Sequence, residues 1–170
     1  MFNKSGSNSN GSAVDTTAVK NTVEITPVSA TVSSTLPTSG GYSYYAEKSF
    51  DGNYFSWWSP NGDNYQGQWI QFNLDQPRKI YAIRILNGAH YPHFGTGGTD
   101  IDLYYMNAIL TSATLEFSDG SRTNIEMKVY DGMQTIEFPA VTTSWVKMIL
   151  TGAVPGKKWQ DVSIAEVKFL

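Results

Sequence analysis

Two stretches of this sequence concentrate the side chains that could do chemistry. Residues 36–67 read LPTSGGYSYYAEKSFDGNYFSWWSPNGDNYQG, and residues 87–107 read NGAHYPHFGTGGTDIDLYYMN. Both are crowded with tyrosine, tryptophan, asparagine and histidine. Ring faces beside amide and imidazole hydrogen-bonders suit a sugar, whose C–H faces stack on aromatics while its hydroxyls need polar partners. On this ground Tyr44, Tyr65, His90 and Tyr91 are candidate ligand contacts. Trp159 joins them, because Pro155-Gly156 interrupts a strand just ahead of it and presents the ring; Tyr104 and Tyr105 come next.

Other chemistries read less well. His90 and His93 lie three apart, but off a helix that spacing fixes no geometry, and a transition metal would need a third ligand such as Asp100 or Asp102. The two aspartates meet the minimum for a glycosidase. Nothing near them suggests the burial that would raise one pKa. The chain carries no Gly-x-Ser-x-Gly elbow, no phosphate-cradling Gly-x-x-x-x-Gly-Lys and no His-Glu-x-x-His. With no cysteine, a disulfide framework, a thiolate metal site and a cysteine nucleophile are all excluded. The expected protein is not an enzyme.

The elements that must hold these stretches are short strands. Ile70, Phe72 and Leu74 alternate with Trp69, Gln71 and Asn73, as do Ala113, Leu115 and Phe117 with their polar neighbours, and Ile125, Met127 and Val129 with theirs. Further β-rich runs cover residues 79–86, 133–138, 144–151 and 162–169, bounded by turns such as Asp119-Gly120 and Asp131-Gly132. No ten residues keep a helical period with a cap and a stop. The expectation is all-β, a jelly-roll β-sandwich of about eight strands with long ligand loops at one end. Trp58 and Trp69 are assigned to its core.

The 170 residues divide into a Ser/Asn/Gly-rich tail or linker, 1–29, and one domain, 30–170. SGSNSNGS near the start reads equally as a cloning remnant or as a natural stalk. A net charge of −3 without any run of Lys and Arg argues against nucleic acid. No apolar run reaches the length of a membrane-spanning helix, so no membrane insertion is expected. Charged residues make up 16%, below the usual quarter, a habit that fits an exported protein.

Several motifs, in order along the chain, carry a resemblance. Ser33-Ser34, Ala46-Glu47-Lys48-Ser49-Phe50-Asp51-Gly52-Asn53 with Ser56 and Trp58, Gly67-Gln68-Trp69-Ile70 and Ser163-Ile164-Ala165-Glu166-Val167 resemble the discoidin, or coagulation factor 5/8 type C, superfamily. Asn87-Gly88, Tyr104-Tyr105-Met106-Asn107, residues 116–121 and residues 155–161 are similar to the bacterial NADase-type glycan-binding domain within it. The resemblance implies a non-catalytic glycan-binding module, exported by a bacterium and serving a larger parent protein or surface assembly. It adds Asn107 to the ligand residues, and it implies a structural calcium ion at Asp51, Asn53, Ser56 and Glu166. Ca²⁺ takes six to eight hard oxygens, which a tight Asp-Gly-Asn turn can supply. Where the family often follows its asparagine with arginine, this chain has Ala108, which leaves the ligand's identity open and favours a neutral sugar. The alternative is a protein- or membrane-adhesion domain with Trp57, Tyr91 and Phe94 at its loop tips.

Overall fold

A computed structural model describes residues 22–91 and 103–170. Among the described residues six strands order as β1 (Ser29–Val32), β2 (Trp69–Asn87), β3 (Ile109–Phe117), β4 (Arg122–Glu126), β5 (Met133–Val154) and β6 (Ile164–Phe169), with a 3-10 turn at Ala46–Ser49 and one α-helical turn, α1 (Leu103–Met106). All strand pairings are antiparallel. The expected all-β sandwich is therefore present, but its strand count differs for an instructive reason. Two pairs of runs read as separate strands are continuous: 70–74 with 79–86 in β2, and 133–138 with 144–151 in β5. The β2–β5 register shifts between Asn73 and Arg78 and again between Ile80 and Ala82. Pro77 and Pro139 lie at these irregularities, where a residue without an N–H costs the ladder least.

These bends let β2 and β5 pass from one layer of the sandwich to the other. Their Trp69–Asn73 and Trp145–Ile149 halves pair together, flanked by β1 on one side and by β3 and β4 on the other. Their other halves pair as 82–86 with 133–137, and β6 adds to the far edge of β2. Between the layers lie Ile70, Phe72, Leu115, Met148, Ile83, Ile85, Val167, Phe169 and the fully buried Trp58. Trp58 bridges Ile164, which also fixes where the first long loop returns to the sheet. Ahead of residue 30, Ile25 already bridges Phe169 with paired bonds of 2.8 and 2.9 Å, and Glu24 reaches Arg84 and Lys168.

Trp69 departs from its core assignment. Its alternation partner Ile70 faces inward, so Trp69 lies half-buried on the outer sheet face, where the Lys147 ammonium sits 4.1 Å from its ring centre. Among the described residues no helix is long and apolar enough to cross a membrane.

Candidate functional site

Register decides what the first loop covers. On β2 and β6 Ile83, Ile85, Val167 and Phe169 face the main core, so Arg84, Leu86, Glu166 and Lys168 take the opposite face. Glu166 nevertheless has no exposure, because the turn around Asp51 closes over it. The Gly52 N–H donates to Glu166 Oε2 at 3.0 Å, from a residue at φ 76°, where a side chain would be strained.

Within that turn Asp51, Asn53 and Ser56 bond to one another and to the local backbone. Asp51 accepts from the Asn53 N–H at 2.8 Å and from the Ser56 hydroxyl at 2.7 Å. Asn53 accepts from the Phe55 N–H through Oδ1, and its carbonyl accepts from both Ser56 donors. Glu166 Oε1 is the exception: it is buried and has no partner. Burial above all holds the Glu166 carboxyl above its usual range, and the Asp51 carboxylate adds to this, against the opposing pull of the Gly52 N–H and Lys168. A buried carboxylate left partly unsatisfied costs several kcal/mol unless a cation meets it. Two carboxylates, an amide, a hydroxyl and nearby carbonyls make the all-oxygen donor set that suits a hard divalent ion. Among the described residues no group of three or more His, Asp or Glu gathers as a metal cluster, so the neutral oxygens would have to complete the shell.

The same loop continues into an aromatic shelf. Residues 57 and 58 face opposite ways along an extended segment, so while Trp58 enters the main core, Trp57 enters a second, smaller one with Leu86, Ala89, Leu103 and Ala165. Tyr44, Tyr91 and Trp159 pack half-buried onto that cluster. Tyr44 lies 6.2 Å from Trp57, and Tyr91 stands edge-on to Tyr42 at 6.4 Å and to Phe55 at 6.3 Å. A shallow, open cleft of about 80 Å³ runs between Tyr42, Tyr44, Lys48, Phe55, Ser56 and Trp57. Ser56 and Phe55 thus belong both to the Asp51 turn and to the cleft wall. Burial, then Asp161, then Tyr42 hold the Tyr44 phenol above its usual range; burial and Asp63 do the same for the Asp161 carboxyl.

The fold brings together three of the residues singled out from sequence, Tyr44, Tyr91 and Trp159, and sets Tyr105 beside them. Tyr105 is 43% exposed and packs edge-on to Tyr104 at 5.0 Å. His90 sits at the back of this group, stacked on Tyr104, with Nε2 2.8 Å from the Asn87 carbonyl and Nδ1 2.8 Å from Asp131. Asn107 is buried, its amide donating to the Leu103 carbonyl at 3.0 Å, so it closes α1. Tyr65 stands apart, packed on the main core with its hydroxyl accepting from the Ala153 N–H at 3.0 Å. His93, Phe94, Asp100 and Asp102 lie outside the described residues.

Sequence reasoning missed Tyr42, Lys48 and Phe55 as cleft residues, and the exposed tip that its adhesion alternative gives Trp57 does not hold, since Trp57 is 7% exposed. The adjacency of Trp57 and Trp58 was the available signal. If one of two neighbours in an extended segment is core, the other must face away from it.

Residues 21–170 match the family model described as NAD glycohydrolase translocation F5/8 type C domain. No curated protein matches the chain. Among solved structures, the chain is similar to a family 32 carbohydrate-binding module of a Clostridium perfringens enzyme in complex with GalNAc-β-1,3-galactose (18% identity, 84% of this chain and 94% of that one, TM-score 0.60). It is also similar to the corresponding module of AlyQ in complex with 4,5-unsaturated mannuronic acid (19%, 88% and 98%, TM-score 0.57). A third is chitosan-binding module 1 of a chitosanase/glucanase from Paenibacillus sp. IK-5 (22%, 86% and 96%, TM-score 0.54).

Proposed function

Since the chain belongs to the NAD glycohydrolase translocation F5/8 type C domain family, we propose that it is a non-catalytic glycan-binding module of an exported bacterial protein, with its ligand on the aromatic shelf at the loop end. The observation that carries this reading is the convergence of Tyr44, Trp57, Tyr91 and Trp159 on one small core outside the sandwich. Rings packed in this way are held in place at little entropic cost, and such a shallow, preformed surface suits a saccharide ring. The three solved modules, by their descriptions, bind sugars as unlike as a GalNAc disaccharide, a uronic acid and chitosan. The shared fold therefore supports a sugar without choosing one.

Asp51, Asn53, Ser56 and Glu166 are the residues that would hold calcium. When bound, the ion supplies positive charge to the Glu166 oxygen that has no partner and fixes the turn from which Phe55 and Ser56 line the cleft. No residue of the site is assigned an acid, base or nucleophile role. The chain's own part is to orient a sugar face and exclude water from it.

An adhesion role through exposed loop-tip aromatics is the competing reading, favoured by Tyr45, Tyr54 and Phe55, each about half exposed. The test is a glycan array run in calcium and in EDTA beside sedimentation with anionic liposomes. Glycan hits that weaken in EDTA, with no liposome binding, are expected. Liposome binding with a blank array would reverse the assignment.

A further inference from the structure

The turn at residues 155–159 does more than present an aromatic ring. It is docked on the C-terminal end of α1 by three backbone bonds: the Lys157 N–H to the Tyr105 carbonyl at 3.1 Å, and the Lys158 and Trp159 N–H groups to the Met106 carbonyl at 3.0 and 2.8 Å. Gly156 permits this approach. A Cβ there would lie 2.3 Å from the Trp159 carbonyl oxygen and 2.4 Å from the Asn107 carbonyl carbon, both backbone atoms that cannot swing aside. So fixed, the turn sets the Lys157 ammonium 5.6 Å from the centre of the Tyr105 ring and the Lys158 ammonium 4.4 Å from that of Trp159.

These two cations differ from those that are ion-paired on this domain. Arg78, Arg84, Arg122 and Lys168 are all spent on carboxylates. Lys157 and Lys158 are exposed, and among the described residues neither meets an acidic side chain. Of the shelf's acids, Asp161 lies near both Tyr44 and Asp63. The Tyr44 flank of the shelf thus carries both Asp161 and Lys48, whereas the Tyr105 and Trp159 flank carries the ammonium groups of Lys157 and Lys158 alone.

Resting on the glycan-binding reading above, we propose that Lys157 and Lys158 select an acidic sugar, their ammonium groups receiving the carboxylate of a uronic- or sialic-acid residue seated against Tyr105 and Trp159. A sugar acid joins the two features this flank offers, an apolar ring face and one carboxylate at its edge. A lysine already held over an aromatic face gives up less freedom when it binds, and its three donors meet a carboxylate from a range of angles. Charge-assisted bonds of this kind are the stronger class, and at an exposed site they weaken with salt. Two cations on an acidic domain are too few for a polyphosphate backbone.

The test uses immobilised oligosaccharides of galacturonate, glucuronate, mannuronate and sialate, each beside its methyl ester, which keeps the skeleton and removes the charge. At least one acid should be held about tenfold more tightly than its ester, with the gap closing at high salt. In Lys157→Gln/Lys158→Gln the gap should vanish while binding to the ester and the melting temperature stay unchanged. Equal binding of acids and esters by the unaltered protein, or a gap that survives in the double variant, overturns the proposal. Binding only to neutral sugars on the wider array also overturns it but leaves the glycan-binding reading standing; a wholly blank array sinks both.

Discussion

In calcium at about a hundred times its dissociation constant, the protein should melt roughly 5–10 °C higher than in EDTA. Filling a native-state site to that degree is worth about 2.7 kcal/mol, and at this size each kcal/mol moves the midpoint by ~2–4 °C. Glu166 makes the prediction specific. In the absence of an ion its buried carboxylate is a cost to the fold, with Oε1 unpartnered and Asp51 adding repulsion. The variant Glu166→Gln should consequently lose the calcium response while melting in EDTA at or above the temperature of the unaltered protein. An alanine at Asp51 should also lose the response, but at a lower baseline, because Asp51 accepts the Asn53 N–H and the Ser56 hydroxyl that shape the turn. A midpoint indifferent to calcium, or a response retained in Glu166→Gln, would remove the ion from the account. Scanning calorimetry in the two buffers settles it.

The second large effect concerns the shelf. Tyr44→Ala and Tyr91→Ala should each weaken glycan binding by about 2 kcal/mol, roughly thirtyfold, which is the scale of a central aromatic anchor. Stability should fall far less, since both rings pack on the small outer cluster and not among the residues between the layers. The conservative Tyr44→Phe keeps the stacking face and removes only the phenol beside Asp161. It should retain most of the binding if the ring face dominates. Unaltered affinity in both alanine variants, measured by calorimetric titration with an array hit, would displace the site from this end of the sandwich.

Much of the fold is legible in the sequence because one face of each strand is buried. The alternation of Ile70, Phe72 and Leu74, or of Ala113, Leu115 and Phe117, states the strand and its inward side together. What the alternation cannot state is continuity. Residues around Pro77 and Pro139 read as turns, yet β2 and β5 carry their ladders past them by shifting register. Site residues divide along a similar line. A motif singles out Glu166, but its burial depends on a turn more than a hundred residues away closing over it, which no local pattern records. The second cluster is likewise assembled from Trp57, Leu86, Leu103 and Ala165, each from a different element. The segment after Asn107 reads as lacking a cation, since Ala108, Ile109 and Leu110 follow it. Chain topology supplies two from residues 157 and 158, placed there by backbone bonds to Tyr105 and Met106. Placements set by neighbours in space are what a reading of local sequence does not reach.

The five tryptophans give the central claim its most direct measurement, because the fold distributes them over separate surfaces. Trp57 lines the cleft and Trp159 packs on the same small cluster; Trp58 is sealed in the main core; Trp69 and Trp145 lie on the outer face of the sheet. Each contributes one indole N–H signal to a ¹H–¹⁵N spectrum, assignable by single Trp→Phe replacements. On titration with a glycan retained by the array, the signals of Trp57 and Trp159 should shift with a common saturation curve while those of Trp58, Trp69 and Trp145 stay still. Shifts confined to Trp69 and Trp145, with Trp57 and Trp159 unmoved, would put the ligand on the sheet face and contradict the account.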